Sequence, residues 1–342
     1  MPTGCPWYVP NMPTANAPQH LIVKTENFMS NKNSARPINF PLLAGLVIVA
    51  GFVAFEPGLR PSSTAHGATV ETAQVAVGPQ YGSTHVYVPP KDFDRFVASI
   101  VATFGGSTSR KGVLKVTPTS SQTMSQIVFT PVGTFSVFGF KTPIPYPFGA
   151  ERSGYLVADI DVAVAAARAH GAEVRVATFP DAIGRDAVIQ WPGGVNMQFY
   201  WHTKVPSYAA LETIPESRVY ISPDTADAFV RAFTGFAHGR VLADNRQAPG
   251  LEIGRPNDTY RQIQIESLFG NVTAFVTDGH LPYPFGRELT GYEVANLDGT
   301  LSKAKAAGAA ILVEPFRSGG RESAMVQFPG GFIAEIHSPL AK

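Results

Sequence analysis

Glu335 and His337 stand two residues apart in the run PGGFIAEIH that ends at His337. Side chains of an extended segment alternate between faces, so a carboxylate and an imidazole at this spacing share one face. Such a pair can hold a metal ion or shuttle a proton. The same alternation puts Gln198 with Tyr200 and His85 with Tyr87, two polar and aromatic pairs suited to the floor of a small-molecule site. His280 lies in the loop TDGHLPYPFG and reads either as a ligand or base or as an exposed loop side chain. Tyr146, Phe148, Tyr283 and Phe285 belong to two PYPFG stretches, which read as turns with packed aromatics and as the lining of an apolar pocket. Glu151 and Glu288 follow those stretches at equivalent places, which predicts one shared structural job, bonding the loop's backbone N–H groups.

The elements that must position these residues come as an internal repeat. PYPFGAERSGYLVADID (145–161) and PYPFGRELTGYEVANLD (282–298) lie 137 residues apart. The match runs on to QWPGGVNMQFYWH (190–202) and QFPGGFIAEIH (327–337), with one slipped position near Gly184 and Gly320. The front ends, 84–106 and 217–239, correspond more weakly. Periodicity within copy one predicts a strand at 85–88, a helix at 93–104 and strands at 113–117, 126–130 and 135–140. A second round follows: strand 154–157, Ala-rich helix 161–170 closed by Gly171, then strands 174–178, 187–191 and 195–201. Each copy is thus two βαβββ units. The predicted layout is a tail over 1–82, domains at 83–202 and 216–342, and a linker at 203–215.

Composition narrows the function classes. Of 342 residues 44% are hydrophobic and 15% charged, which supplies two cores and excludes a disordered chain. The net charge of +1 offers no electrostatic case for nucleic-acid binding. The lone cysteine, Cys5, excludes an internal disulfide framework and cysteine-based metal clusters. Phosphate-binding Gly-rich loops, the nucleophile elbow and the HExxH zinc helix are missing from the sequence. Residues 39–55 (NFPLLAGLVIVAGFVAF) form an uncharged apolar run behind Lys32 and Arg36. They predict export, to a periplasmic or secreted location, or retention on a membrane through that segment alone.

The order strand–helix–three strands, used twice per copy, resembles the vicinal oxygen chelate superfamily of glyoxalases, bleomycin-resistance proteins and extradiol dioxygenases. The runs YLVADIDVAVAAARAHGAEV (155–174) and YEVANLDGTLSKAKAAGAAI (292–311) carry the resemblance, together with the PGG turns that feed a last strand. The resemblance implies an α+β fold of two tandem glyoxalase-like domains, each curling two units into an open β-cup. It implies ligands of a divalent metal (Fe, Mn, Ni or Zn) on the first and last strands, which here are His85 with Gln198, and Arg218 with Glu335. The first strand of each second unit would add a histidine, and the residues there are about Arg152 and Leu289. Neither copy therefore assembles a 2-His-1-carboxylate set from the expected positions. With Arg218 opposite, Glu335 has an ion-pair partner inside the cup, and His337 would then cap the rim. Glu293 points into the same cup in this register, and Tyr292 takes its place if the strand slips by one.

Two functions stand open at this point. One is a metal-dependent lyase, isomerase or dioxygenase acting on a small oxygenated substrate, with Glu335, His337 and His280 as catalytic groups and His85, Gln198 and Glu335 on the metal. The other is a metal-free small-molecule binding protein of the bleomycin-resistance type. In both, Tyr87, Tyr200, Glu293, Tyr283 and Phe285 contact the ligand, and pairing of units within the chain or in a homodimer fits the sequence equally.

Overall fold

The computed structural model describes residues 74–340. The apolar run 39–55 and Cys5 lie outside them. Among the described residues no helix is long and apolar enough to cross a membrane.

Copy one contains β1 (Gly82–Tyr87), α1 (Phe93–Phe104), β2 (Ser107–Thr108), β3 (Gly112–Leu114), β4 (Thr123–Thr130) and β5 (Gly133–Phe140). Its second unit contains β6 (Ser153–Leu156), α2 (Ile160–Ala169), β7 (Glu173–Pro180), β8 (Gly184–Gln190) and β9 (Asn196–His202). Copy two repeats the order with β10 (Glu216–Ile221), α3 (Ala226–Ala237), β11 (Arg240–Pro249), β12 (Thr259–Ser267) and β13 (Gly270–Val276). It ends with β14 (Leu289–Glu293), α4 (Leu297–Ala306), β15 (Ala310–Ser318), β16 (Arg321–Gln327) and β17 (Ile333–Pro339). The departure from βαβββ is in the first unit, where one strand is split into β2 and β3, both paired with β4.

Local chemistry explains the helix boundaries. The Asp159 carboxylate accepts from the N–H groups of Asp161 and Val162, and the Asn296 side chain accepts from Gly299, so each repeated helix begins on a side-chain cap. Gly171 and Gly308 follow those helices at φ 90° and 86°, the left-handed turn that ends a helix with little strain only at glycine.

Each copy forms one curled sheet. The order is β2-β4-β5-β1-β6-β9-β8-β7 in copy one and β11-β12-β13-β10-β14-β17-β16-β15 in copy two. The first strands of the two units meet antiparallel at the centre, Ser83 opposite Gly154 and Glu216 opposite Gly291. Each is flanked in parallel by the last strand of its own unit. The units of a copy therefore pair with each other inside the chain, giving the two tandem α+β cups that the sequence predicts.

The helices cover the convex backs of the sheets, and the backs of the two copies pack together. One core joins Trp191 and Phe199 of copy one to Phe229, Phe233, Phe236 and Phe269 of copy two. The other joins Phe96, Ile100 and Phe135 to Tyr292, Leu301 and Phe328. Each core thus draws one unit from each copy, with α1 against α4 and α2 against α3. Val75 and Ala76, placed in the tail by the sequence, are buried in the first core, and Ala76 bridges Val157. Packed structure therefore begins ahead of residue 83.

Candidate functional site

Alternation along β1, β8 and β9 brings His85, Tyr87, Asp186, Gln198 and Tyr200 to the concave face of copy one. There they line a cavity of 190 Å³. Ser83, Ser136 and Phe138 complete the floor, Phe148 comes from the PYPFG turn and Tyr208 from the linker. His85 is 2% exposed and Gln198 8%, so both have exchanged water for this interior. Asp186, also buried, is the acid that sequence inspection passed over. Burial pushes its carboxyl well above the ordinary range, the charge of Asp181 adds to this, and Gln198 counteracts it in part. Burial lowers the His202 imidazole at the rim, with Asp181 opposing.

Behind the floor lies Glu151, wholly buried. Its Oε1 accepts from the Tyr87 hydroxyl and sits 3.5 Å from His85 Nδ1, while Oε2 is buried without a hydrogen-bond partner. Burial raises the Tyr87 hydroxyl well above its usual range, and the Glu151 charge adds to it. The expected bonding of loop N–H groups by Glu151 is thus replaced by a hold on Tyr87. Its repeat partner Glu288 has a different setting, beside Arg152 and Glu151. Burial lifts Glu288 to about 7, Arg152 opposing and Glu151 assisting.

Copy two has filled the corresponding floor with ions. Arg218, at the position of His85, lies 3.2 Å from Glu216, 3.5 Å from Glu335 and 3.8 Å from Glu252, with its guanidinium 4.5 Å from the centre of the Phe275 ring. Arg321 lies 3.0 Å from Glu216 and 3.6 Å from Glu252. His337 Nδ1 is 2.8 Å from Glu335, and its Nε2 is 3.8 Å from Glu293. Burial alone would raise the Glu335 carboxyl, yet Arg218, His337 and Arg321 overcome it and hold the group well below the ordinary carboxylate range. The ladder register explains the contrast between the cups. Ser83 occupies the place of Glu216, and Gly184 that of Arg321, so copy one keeps open the space that two long side chains occupy in copy two.

The expected residues divide accordingly. His85, Tyr87, Gln198 and Tyr200 meet in the first cup, and Glu335, His337 and Glu293 meet in the second. His337 is buried rather than capping the rim, because Glu335 and Glu293 bracket it. Tyr292 faces the core, where its hydroxyl is 2.7 Å from Thr84 Oγ1, so the unslipped register for Glu293 holds. His280 does not join the site. Its side chain is 89% exposed and only Asp278 is near, at 4.0 Å, because the Gly/Pro-rich loop carries it outward. Tyr146 and Tyr283 are also exposed, stacking under Arg175 and Arg287. Phe148 lines the first cavity, whereas Phe285 packs with Leu289, Met325 and Ile333.

The donor set does not fit a metal of the kind the resemblance implies. The strand position level with Gln198 is Gly154, and that level with Glu335 is Gly291, each two residues beyond the expected Arg152 and Leu289. Neither offers a ligand. A Cβ on Gly154 would meet His85 Nε2 at 2.2 Å, and one on Gly291 would meet Glu335 Oε2 at 2.6 Å. In copy two the Arg218 guanidinium stands at the first-strand ligand position and already neutralises Glu335. Among the described residues no three His, Cys, Asp or Glu side chains converge to hold a metal ion.

No family model and no curated protein sequence matches this chain. Its structure is similar to that of a triple mutant of 4-hydroxymandelate synthase from Streptomyces coelicolor, with TM-score 0.52 and 12% identity over 78% of this chain and 94% of that one. Weaker likenesses include the 2,3-dioxygenase LapB from Pseudomonas sp. KL28 (TM-score 0.47, 10% identity, 76% and 92% covered). Another is the Mn(II)-bound glyoxalase from Novosphingobium aromaticivorans (TM-score 0.46, 16% identity, 76% and 81% covered). The strand order, the paired βαβββ units and the first of these similarities together show that the fold of this chain is that of the vicinal oxygen chelate proteins, in a form with two tandem cups.

Proposed function

We propose that this protein binds a small molecule in the cup of copy one without a resident divalent metal, in the manner of bleomycin-resistance-type proteins. The observation that carries the reading is the contrast between the cup floors. A 190 Å³ cavity reaches the buried His85, Asp186 and Gln198 in one. In the other an ion network closes over Arg218 and Glu335 and leaves a 260 Å³ hollow lined by the charged Glu216, Glu293, Arg321 and His337. Concave sites that mix apolar walls with a few convergent polar groups are where small ligands bind. On this reading copy two serves as the scaffold for copy one, and residues 39–55 export or anchor the protein, which fractionation of cells would test.

Elemental analysis of the purified protein is the first test. Substoichiometric Fe, Mn, Ni and Zn, with a melting temperature indifferent to chelator, is expected. A thermal-shift screen should then find small ligands that stabilise the wild type and fail to stabilise Ser136→Phe, which fills the cavity. Near one metal per chain, lost in His85→Ala or Glu335→Ala, would overturn the reading and restore a metal-dependent lyase, isomerase or dioxygenase.

A further inference from the structure

We propose that the ligand of the first cup is a small organic cation, an ammonium group on an apolar or aromatic body, seated against Asp186 among the rings of Tyr87, Phe138, Tyr200 and Tyr208. This names the ligand class of the site and rests on the binding function proposed above.

The distribution of charge within the cavity is the first support. Asp186, 5% exposed, puts an acid at its buried end. A second acid, Asp181, is half-buried in the β7–β8 turn, where its carboxylate accepts from the N–H groups of Ile183 and Gly184; neither forms an ion pair among the described residues. The cations that line the cavity, Arg110 and Lys115, are exposed at the mouth. His202 adds no competing charge at neutral pH, because burial lowers its imidazole. A ligand cation therefore favours the ionised form of Asp186, whose proton leaves to solvent as the cation binds, whereas a ligand anion placed there would keep the carboxyl neutral and gain no such partner.

The walls are the second support. Aromatic rings line the cavity, and the electron-rich face of such a ring attracts a cation. Tyr87 and Phe138 stand 5.3 Å apart on adjacent strands, and Tyr200 lies opposite Asp186 in the ladder. A cavity of about 150 Å³ is large enough for benzene, so 190 Å³ accommodates a single ring with a short side chain.

The third support comes from the repeat. In copy two an organic cation already sits on the equivalent ring, for the Arg218 guanidinium lies over Phe275 and pairs with Glu335. Gln198 stands at the place of Glu335, and the acid of the first cup is Asp186, at the place of Ser323. Phe138 is the copy-one equivalent of Phe275, since it faces Tyr87 as Phe275 faces Tyr220. His85 replaces Arg218 and is shorter, so the copy-one ring keeps its place while the cation has to be supplied from outside.

Calorimetry on the full chain with three probes of similar shape tests the assignment: 2-phenylethylammonium, 2-phenylethanol and 3-phenylpropanoate. The cation should bind at least about tenfold more tightly than the other two, a difference of about 1.4 kcal/mol. Asp186→Asn should bring cation and alcohol within about twofold, and Phe138→Leu should weaken the cation most. If the alcohol or the carboxylate binds the wild type as well as the cation does, the cation assignment is overturned while the cup remains the binding site. The same follows if a folded Asp186→Asn keeps the selectivity. Should none of the probes bind or shift the melting temperature, both the assignment and the binding function fail.

Discussion

Arg218 is buried among three carboxylates, and that placement sets how the second cup responds to substitution and to pH. Removing one partner of a buried ion pair costs about 3–5 kcal/mol, because the remaining charges stay desolvated and unpaired. Arg218→Ala should therefore lower the stability measured by denaturant unfolding by about that amount, and a loss below 1 kcal/mol would show the network to be solvated. Glu335 is held below the ordinary carboxylate range in the fold, so its contribution is complete above the unfolded value of about 4 and disappears as pH falls towards the folded one. Asp186 has the opposite sign. Its carboxyl is raised, so its effect on stability is absent in acid and becomes a penalty as pH rises from about 4 through the raised folded value. Urea titrations at pH 5 and pH 8 should show Asp186→Asn flattening that decline, with Asp181, His202, Tyr200 and Gln198 left to face the amide. Asp186 itself was not legible as a site residue. It is a single acid in the run GRDAVIQ, and only the hairpin register that sets it opposite Tyr200 shows that it is buried.

At the scale of elements, much of the structure could be read from the sequence. The helix predicted at 93–104 spans Phe93–Phe104, and the capped helices and their closing glycines fall within one or two residues of expectation. These features are local, set by periodicity and by side-chain caps. What misled was the level of a residue along its strand, since Gly154 and Gly291 take the place expected for about Arg152 and Leu289. Register between strands far apart in sequence depends on close approaches that no local pattern encodes. Glu252 shows the same limit, reaching the Arg218 network from a short loop between β11 and β12. A methyl group at Gly154 would displace the His85 ring. Gly154→Ala should cost about 1–3 kcal/mol, in the range of overpacked cores, and weaken any ligand of the first cup. Gly171→Ala, facing open space but held at φ 90°, should cost about 1 kcal/mol and leave binding alone. Thermal unfolding paired with a binding assay separates the two.

For the molecule as a whole, the 137-residue repeat announces two domains, but the cores tie them together. Trp191 of copy one meets Phe233 of copy two edge to face and packs at a tilt against Phe236, and Phe135 stacks on Tyr292 at 5.1 Å. Unfolding should accordingly be a single cooperative transition, with Trp191→Ala costing about 3–5 kcal/mol and shifting the whole transition. Two separated transitions, or a soluble and folded fragment of residues 216–342 alone, would contradict this. Because each sheet shares its convex back and keeps its concave front to itself, the backs inherit a common constraint while the fronts are free to drift apart. A duplicated gene built this way can let one front fill with salt bridges and still retain the partner that its neighbour needs in order to fold.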